Sequence, residues 1–411
     1  MTPIHKLLAP FRFGWCVVFL LGFAVPLQGK ASELSASTNW QKKLDTRIVG
    51  GVHLDGELLF VGGDDGVVRC FDRQTGDPVW RRNVGSPVRS SVTTDDKRAY
   101  LMTAEGIVHA LDRSNGDPLW QFKSQGEQQW DYWDYYLSTP AVDDRQLYFG
   151  SGDHHIYALN KRTGQLRWRF QTGGIMHGQP VVSGERVIAG GFEGRLFALD
   201  RASGKKLWAF KTIGTAYFRN GEIPGSAVTH DGLVYFGSRD YNLYVLLEET
   251  GTGAWNARTP SWIVGRPLIA GNQVVVANSD GAGVYAYNRT TGAEAWRTKT
   301  SYNMFSSPVA LGDGHVAVAG LDGRITILNL ADGGTALQLD TQAGARNRHR
   351  FFDAEGKVNY EGVKSIEDLM ALYDRQLEQL GGIPGSIAVA DHTLYYAAAN
   401  GELASVSIKG L

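Results

Sequence analysis

The chain has 411 residues and a formal net charge of −1, from 41 Lys plus Arg against 42 Asp plus Glu. That balance leaves no basic footprint for nucleic acid, and two cysteines exclude a disulfide-stapled scaffold or a four-thiolate metal site. The excess residues are glycine, at 51, and tryptophan, at 11, and both need a structural reason.

The first predicted element is a targeting segment. His5, Lys6 and Arg12 make a basic start, and an apolar run follows from Phe13 to Leu27. That run is shorter than the ~20 residues a membrane span needs. Gly29-Lys30-Ala31 then supplies the small residues a signal peptidase reads. Residues 1–31 are therefore expected to be a cleaved signal peptide, with a retained anchor as the alternative. The exported remainder, residues 32–411, is expected to form one domain with net charge −4 and no membrane span. Cys16 follows Trp15 near the start of the apolar run, so it lacks the setting of a lipoprotein cysteine. Only Cys70 survives cleavage, which leaves no intramolecular disulfide.

From Trp40 onward the sequence repeats. Segments such as Gly66 to Trp80, Gly106 to Trp120, His155 to Trp168 and Gly194 to Trp208 share one pattern, which continues to Trp255, Trp296 and Leu337. An eighth copy from Gly401 ends at the C-terminus before its tryptophan. The tryptophans Trp40, Trp80, Trp120, Trp168, Trp208, Trp255 and Trp296 fall at intervals of 40, 40, 48, 40, 47 and 41 residues. Four residues before each of the later ones stands a glycine of a polar turn, for which positive φ is expected. Each unit also carries earlier short β-branched or aromatic runs, so it reads as four strands. Four strands repeated eight times predict an all-β, eight-bladed β-propeller. The ring should close by pairing the strand around Trp40 with the last strand, ending near Ile408, and the tryptophans should dock blade on blade.

The pattern A-L-D-x-x-[TS]-G-x-x-x-W, at Ala110 to Trp120 and Ala198 to Trp208, resembles the tryptophan-docking repeat of quinoprotein-like propellers. That family includes pyrroloquinoline quinone (PQQ) dehydrogenases and BamB-like outer-membrane assembly scaffolds. The resemblance spans nearly all of residues 40–411 and bears on fold more than function, because the shared residues are structural.

Function is expected where the units differ. From each Trp, or Leu337, to the next inner-strand proline the chain runs 7, 20, 12, 16, 12, 12 and 47 residues, and all these connections should emerge on one face. Trp130, Trp133 and Trp262 lie in them. So do Asp131, Asp134, Tyr135, His177, Tyr217, Arg219, Asn220, Arg266, Asn303, Met304 and Phe305. Aromatics, Met and Arg are enriched at binding surfaces, so these residues are the candidate ligand or partner face, with channel plugging as the alternative. The insertion 338–383 holds a basic run, Arg346 to Arg350, and a predicted helix that starts after Ser365, carries Ile366, Leu369, Met370, Tyr373, Leu377 and Leu380, and ends at Gly381-Gly382.

For a PQQ enzyme, Asp131, Asp134, Arg219, Asn220, Glu222, Arg266 and Asn303 are the groups available to hold PQQ and Ca²⁺. The adjacent cysteine pair common in alcohol-oxidising members is missing. His154-His155 points to opposite sides of a strand, a poor chelate, and no hydrolase or Walker-type motif occurs. No catalytic residue, metal site or cofactor is therefore assigned. The expected function is an exported, monomeric, non-enzymatic propeller that binds an envelope protein or small ligand, as the BamB-like resemblance implies. The alternatives are a PQQ- and Ca²⁺-dependent alcohol or sugar dehydrogenase and a periplasmic carbohydrate- or metabolite-binding protein.

Overall fold

In the computed structural model, residues 34–411 are described, apart from 282, 301 and 313. The expected signal peptide lies outside the described residues. Thirty-two strands form eight four-stranded antiparallel sheets, the blades of a β-propeller. Blades 1 to 7 cover residues 53–83, 93–123, 141–171, 181–211, 228–258, 268–299 and 309–340, each using its strands in chain order from the channel outward. Blade 8 takes three strands from 388–409 and its outermost strand from the other end of the chain. That strand, Ser35–Lys43, pairs antiparallel with Glu402–Lys409, from Ser35 opposite Lys409 to Lys43 opposite Glu402. The expected closure is thus the observed one.

The glycine and tryptophan excess has one cause at the outer rim. Each indole Nε1 donates to a carbonyl of the following blade: Trp40 to Arg73 (2.9 Å), Trp168 to Arg201 (3.0 Å), Trp296 to Leu330 (2.8 Å), and likewise for Trp80, Trp120, Trp208 and Trp255. The ring lies flat on the next blade's turn glycine. A Cβ built on Gly204 would sit 2.6 Å from the Trp168 ring, and φ there is +71°. Any larger residue would collide with the ring and be strained as well. Opposite each tryptophan in the sheet stands a smaller side chain, as in Cys70 facing Trp80 and Ala158 facing Trp168. Cys70 is thus a packing residue, and burial pushes its thiol up to about 12. A β-bulge follows this position in all of blades 1 to 7, with Leu337 in place of the tryptophan in blade 7, as at Ala158/Leu159. It turns the outer strand so that its indole reaches the neighbouring blade.

The insertion after blade 7 forms helix α1 (Gln342–Asn347), a 3₁₀ turn at Arg348–Arg350 and helix α2 (Ile366–Gln379). Ser365 caps α2 in a capping box with Asp368, as expected from the sequence. The buried stripe keeps the expected Leu377 and Leu380 but otherwise differs from the expected one. It runs through Leu372, Gln376 and Leu377, while Ile366, in the first turn, is 73% exposed. Among the described residues no helix is long and apolar enough to cross a membrane.

Candidate functional site

The inter-blade connections gather over the channel axis. The connection from blade 2 to blade 3 carries Trp133, whose ring lies 5.9 Å from Phe305 and 6.5 Å from Trp262. Phe305 belongs to the connection between blades 6 and 7, four blades away in a ring of eight, so the contact crosses the channel mouth. Tyr135, Trp262, Phe305, Tyr302, Leu372, Leu377 and Leu380 form one apolar cluster with Tyr132, Trp133 and Phe218 packed against it. Tyr136 donates its hydroxyl proton to the Pro384 carbonyl (2.5 Å), and Tyr132 donates to the Met370 carbonyl in α2 (3.2 Å). Arg47, from the connection entering blade 1, lies over the Tyr135 ring and pairs with Asp374 of α2 at 3.5 Å. The result is an aromatic cap that seals one end of the channel.

Two ionic sites, one buried throughout and one with a buried cation and a partly exposed acid, pin this cap to blades 3, 4 and 5. Arg239, 1% exposed, forms a two-pronged ion pair with Asp131 and lies over the rings of Trp262 (4.7 Å), Phe192 (5.3 Å) and Phe218 (5.7 Å). A guanidinium suits this place because its planar face is weakly hydrated and its edge matches a carboxylate. Glu222 sits beside it, and burial holds its carboxyl above the usual carboxylate range despite the nearby cation. The second site is His177, whose Nδ1 meets Asp134 and whose Nε2 meets Glu127, both at 2.8 Å. Burial alone would favour the neutral imidazole, but hydrogen bonds to two carboxylates outweigh it and lift its pKa to about 9. Asp134 also accepts from the Trp130 amide and Glu127 from the Gly152 amide, so both acids are fixed.

Next to the cap the channel holds a cavity of about 680 Å³. Its wall repeats by blade. The position just before the inner strand is Ser91, Thr139, Ser226, Ser307 and Ser386 in five blades, Gly51 and Gln179 in two, and Arg266 in blade 6. At four joints the backbone N–H of one blade donates to the next blade's hydroxyl: Gly51 to Ser91 (3.0 Å), Ser91 to Thr139 (3.1 Å), Gln179 to Ser226 (3.1 Å) and Arg266 to Ser307 (2.9 Å).

The structure therefore divides the sequence-nominated residues into three groups. Trp133, Asp131, Asp134, Tyr135, His177, Trp262 and Phe305 come together as the cap and its supports, with Asn303 half-buried at its edge, whereas Met304 is buried in the core between blades 6 and 7 with Trp296, Val284 and Val316. Tyr217 (82% exposed), Arg219 and Trp130 (36%) face solvent at connection tips, with Asn220 partly covered beneath them. Arg266 belongs to neither group and lines the channel. Sequence reasoning missed Arg239, Glu127, Arg47 and Tyr136. Arg239 was detectable, because the equivalent slot in other blades holds Asp64, Ala104, Gly152, Phe192, Ser279, Leu321 and Ala399, never a cation.

These positions also decide the fit to PQQ and Ca²⁺. Asp131 is committed to Arg239 and Asp134 to His177, while Arg219 and Arg266 lie apart from them on the outer surface and in the channel. The mouth over the axis is filled by the chain's own aromatic rings. Among the described residues no His, Cys, Asp or Glu cluster is arranged to hold a metal. The residues present do not fit a quinone with a calcium ion.

Comparison with known proteins now adds the family. The model for outer membrane protein assembly factor BamB matches residues 30–131, 123–220 and 193–410. The chain belongs to the BamB family. Among solved structures, BamB from Moraxella catarrhalis superposes with a TM-score of 0.68 at 19% identity, covering 91% of this chain and 98% of that one. The computationally designed Ika8 protein gives 0.66 at 16% identity, with 89% and 97% covered. Quinohemoprotein alcohol dehydrogenase from Comamonas testosteroni gives 0.64 at 12%, with 90% and 76% covered. At these identities the likeness shows the propeller fold, which a BamB and an oxidoreductase share. No curated protein matches the chain.

Proposed function

We propose that this chain is exported and serves the cell envelope as a docking scaffold for a protein of outer-membrane assembly, held on the capped face. The observation that carries this reading is the tip of the connection between blades 4 and 5. Ile213 is 73% exposed and Tyr217 82% exposed there, yet the backbone between them is tightly held. Gly214 N–H donates to Asp240 (3.1 Å), Ile213 N–H to the Tyr244 hydroxyl (3.2 Å), and Thr215 N–H to the Phe218 carbonyl (2.9 Å). Phe218 anchors the tip from below, against Trp262 and Arg239. A rigid segment that presents apolar side chains to water loses little conformational freedom on binding. Trp130 offers a further exposed ring among the same connections. The sealed mouth supports docking over catalysis on this face, because it leaves a platform.

The test places a photo-crosslinking residue at Tyr217 and, as a control, at Val79 on the outer rim, in cells that express the full chain. The expected result is a Tyr217 adduct with an outer-membrane assembly protein that disappears in Ile213→Asp. Adducts from Val79 alone, in protein recovered folded from the envelope, would sink the reading.

A further inference from the structure

The channel contains a charge that neither the cap nor the docking tip uses. Arg266 stands in a ring position that other blades fill with glycine, glutamine or a hydroxyl residue. Its backbone amide serves the ring by donating to Ser307, while its guanidinium faces the cavity. The side chain is reached by water, yet the surrounding wall lowers its pKa, and no carboxylate acts on it in opposition. The cavity wall contains no Asp or Glu among the described residues. Of the other basic groups there, Arg89 is paired with Asp64 (3.1 Å), His177 is held between two acids, and burial lowers the pKa of His53.

The blades on either side of Arg266 place a hydroxyl at the equivalent ring position, Ser226 and Ser307. Ser307 accepts from the Arg266 amide and Ser226 from the Gln179 amide, so each keeps its own proton to donate. A next layer of the same wall is apolar, with Val228, Leu268, Ile269 and Val309. A volume of about 680 Å³ far exceeds what a bare ion fills and lies in the range of small-molecule sites.

We propose that the channel binds a small organic acid, its carboxylate held by Arg266 between the Ser226 and Ser307 hydroxyls and its apolar body against Val228, Leu268 and Val309. Arg supplies a fork matched to a carboxylate, and the ring supplies neutral donors around it. The cavity is lined by neither Ile213 nor Tyr217, so this site does not rest on the docking reading and stands or falls separately.

Titration calorimetry on the purified protein tests it with hexanoate, hexanol, hexylamine and inorganic phosphate as probes. Hexanoate is expected to bind at least about tenfold more tightly than the other three, and Arg266→Gln to remove about that factor. Arg266 makes no ion pair among the described residues, so the Arg266→Gln variant is expected to keep the parent's thermal midpoint. Arg266→Lys is the second variant, and it should fall between the two. Hexanol binding as tightly as hexanoate overturns the proposal, as does phosphate binding more tightly than hexanoate. Hexanoate affinity unchanged in both Arg266 variants overturns it too.

Discussion

The outer rim and the cap solve the same problem, the burial of aromatic surface, in opposite ways. At the rim one joint is used seven times: an indole on a turn glycine, with its N–H on the adjacent carbonyl. In the cap nearly every contact is made once, as with Trp133 against Phe305, Arg239 against Asp131, or His177 between Asp134 and Glu127. Repetition at the rim spreads stability over every blade, so no blade stands alone. The cap instead concentrates its stability in a few buried charges, and that makes it sensitive to solution conditions.

Removing one rim joint gives the largest expected effect. Trp168→Ala deletes a buried indole at the joint between blades 3 and 4 and should cost about 3–5 kcal/mol. The loss should appear in one cooperative denaturant transition by circular dichroism. A separate early transition confined to two blades would break the contrast drawn here.

A change of pH should act on the cap first. The His177 pKa is raised from 6.5 in the unfolded chain to about 9 in the fold. The stabilisation is therefore fully present below pH 6.5 and is lost as pH rises through 9, a change of about 3 kcal/mol. Denaturant midpoints at pH 6.5 and 9.5, followed by fluorescence of the cap tryptophans, should show this fall, and His177→Gln should flatten it. An equal slope in that variant would falsify the role given to the His177 site.

The smallest effect sharpens the picture of repetition. His154 occupies a turn position at φ +72°, where blades 1, 2 and 4 have Gly66, Gly106 and Gly194 at +65° to +72°. His154→Gly should therefore stabilise the protein by about 1 kcal/mol, read as a higher thermal midpoint. A lower midpoint would show that the imidazole contributes more than the strain removes.

The contrast also explains what was legible in the sequence. The fold, the closing strand and the seven joints could all be read, because each rests on a residue type recurring at a fixed interval. Trp133, Trp262 and Phe305 were visible as departures from that interval, and the structure brings them together. Their partners were hidden for different reasons. Glu127 looks like any polar loop residue until His177 is folded against it. Leu372 and Gln376, the buried face of α2, depend on where that helix docks, which its own periodicity leaves open. Arg266 was visible as a residue but not as a place, since only closure of the ring puts it in the wall of a channel cavity whose described lining residues include no Asp or Glu.

The closing strand sets an order of events. Ser35 is paired with Lys409, so the first described strand has no partner until the last one is in place. Blades 1 to 7 each draw their four strands from one continuous stretch of chain, while the outermost strand of the eighth stays unpaired until the C-terminal strand joins it. Contacts this distant in sequence form slowly. Until then, two unpaired strand edges from opposite ends of one chain are exposed to other molecules. How soon the two ends meet therefore governs how long the ring can pair with a neighbour in place of itself.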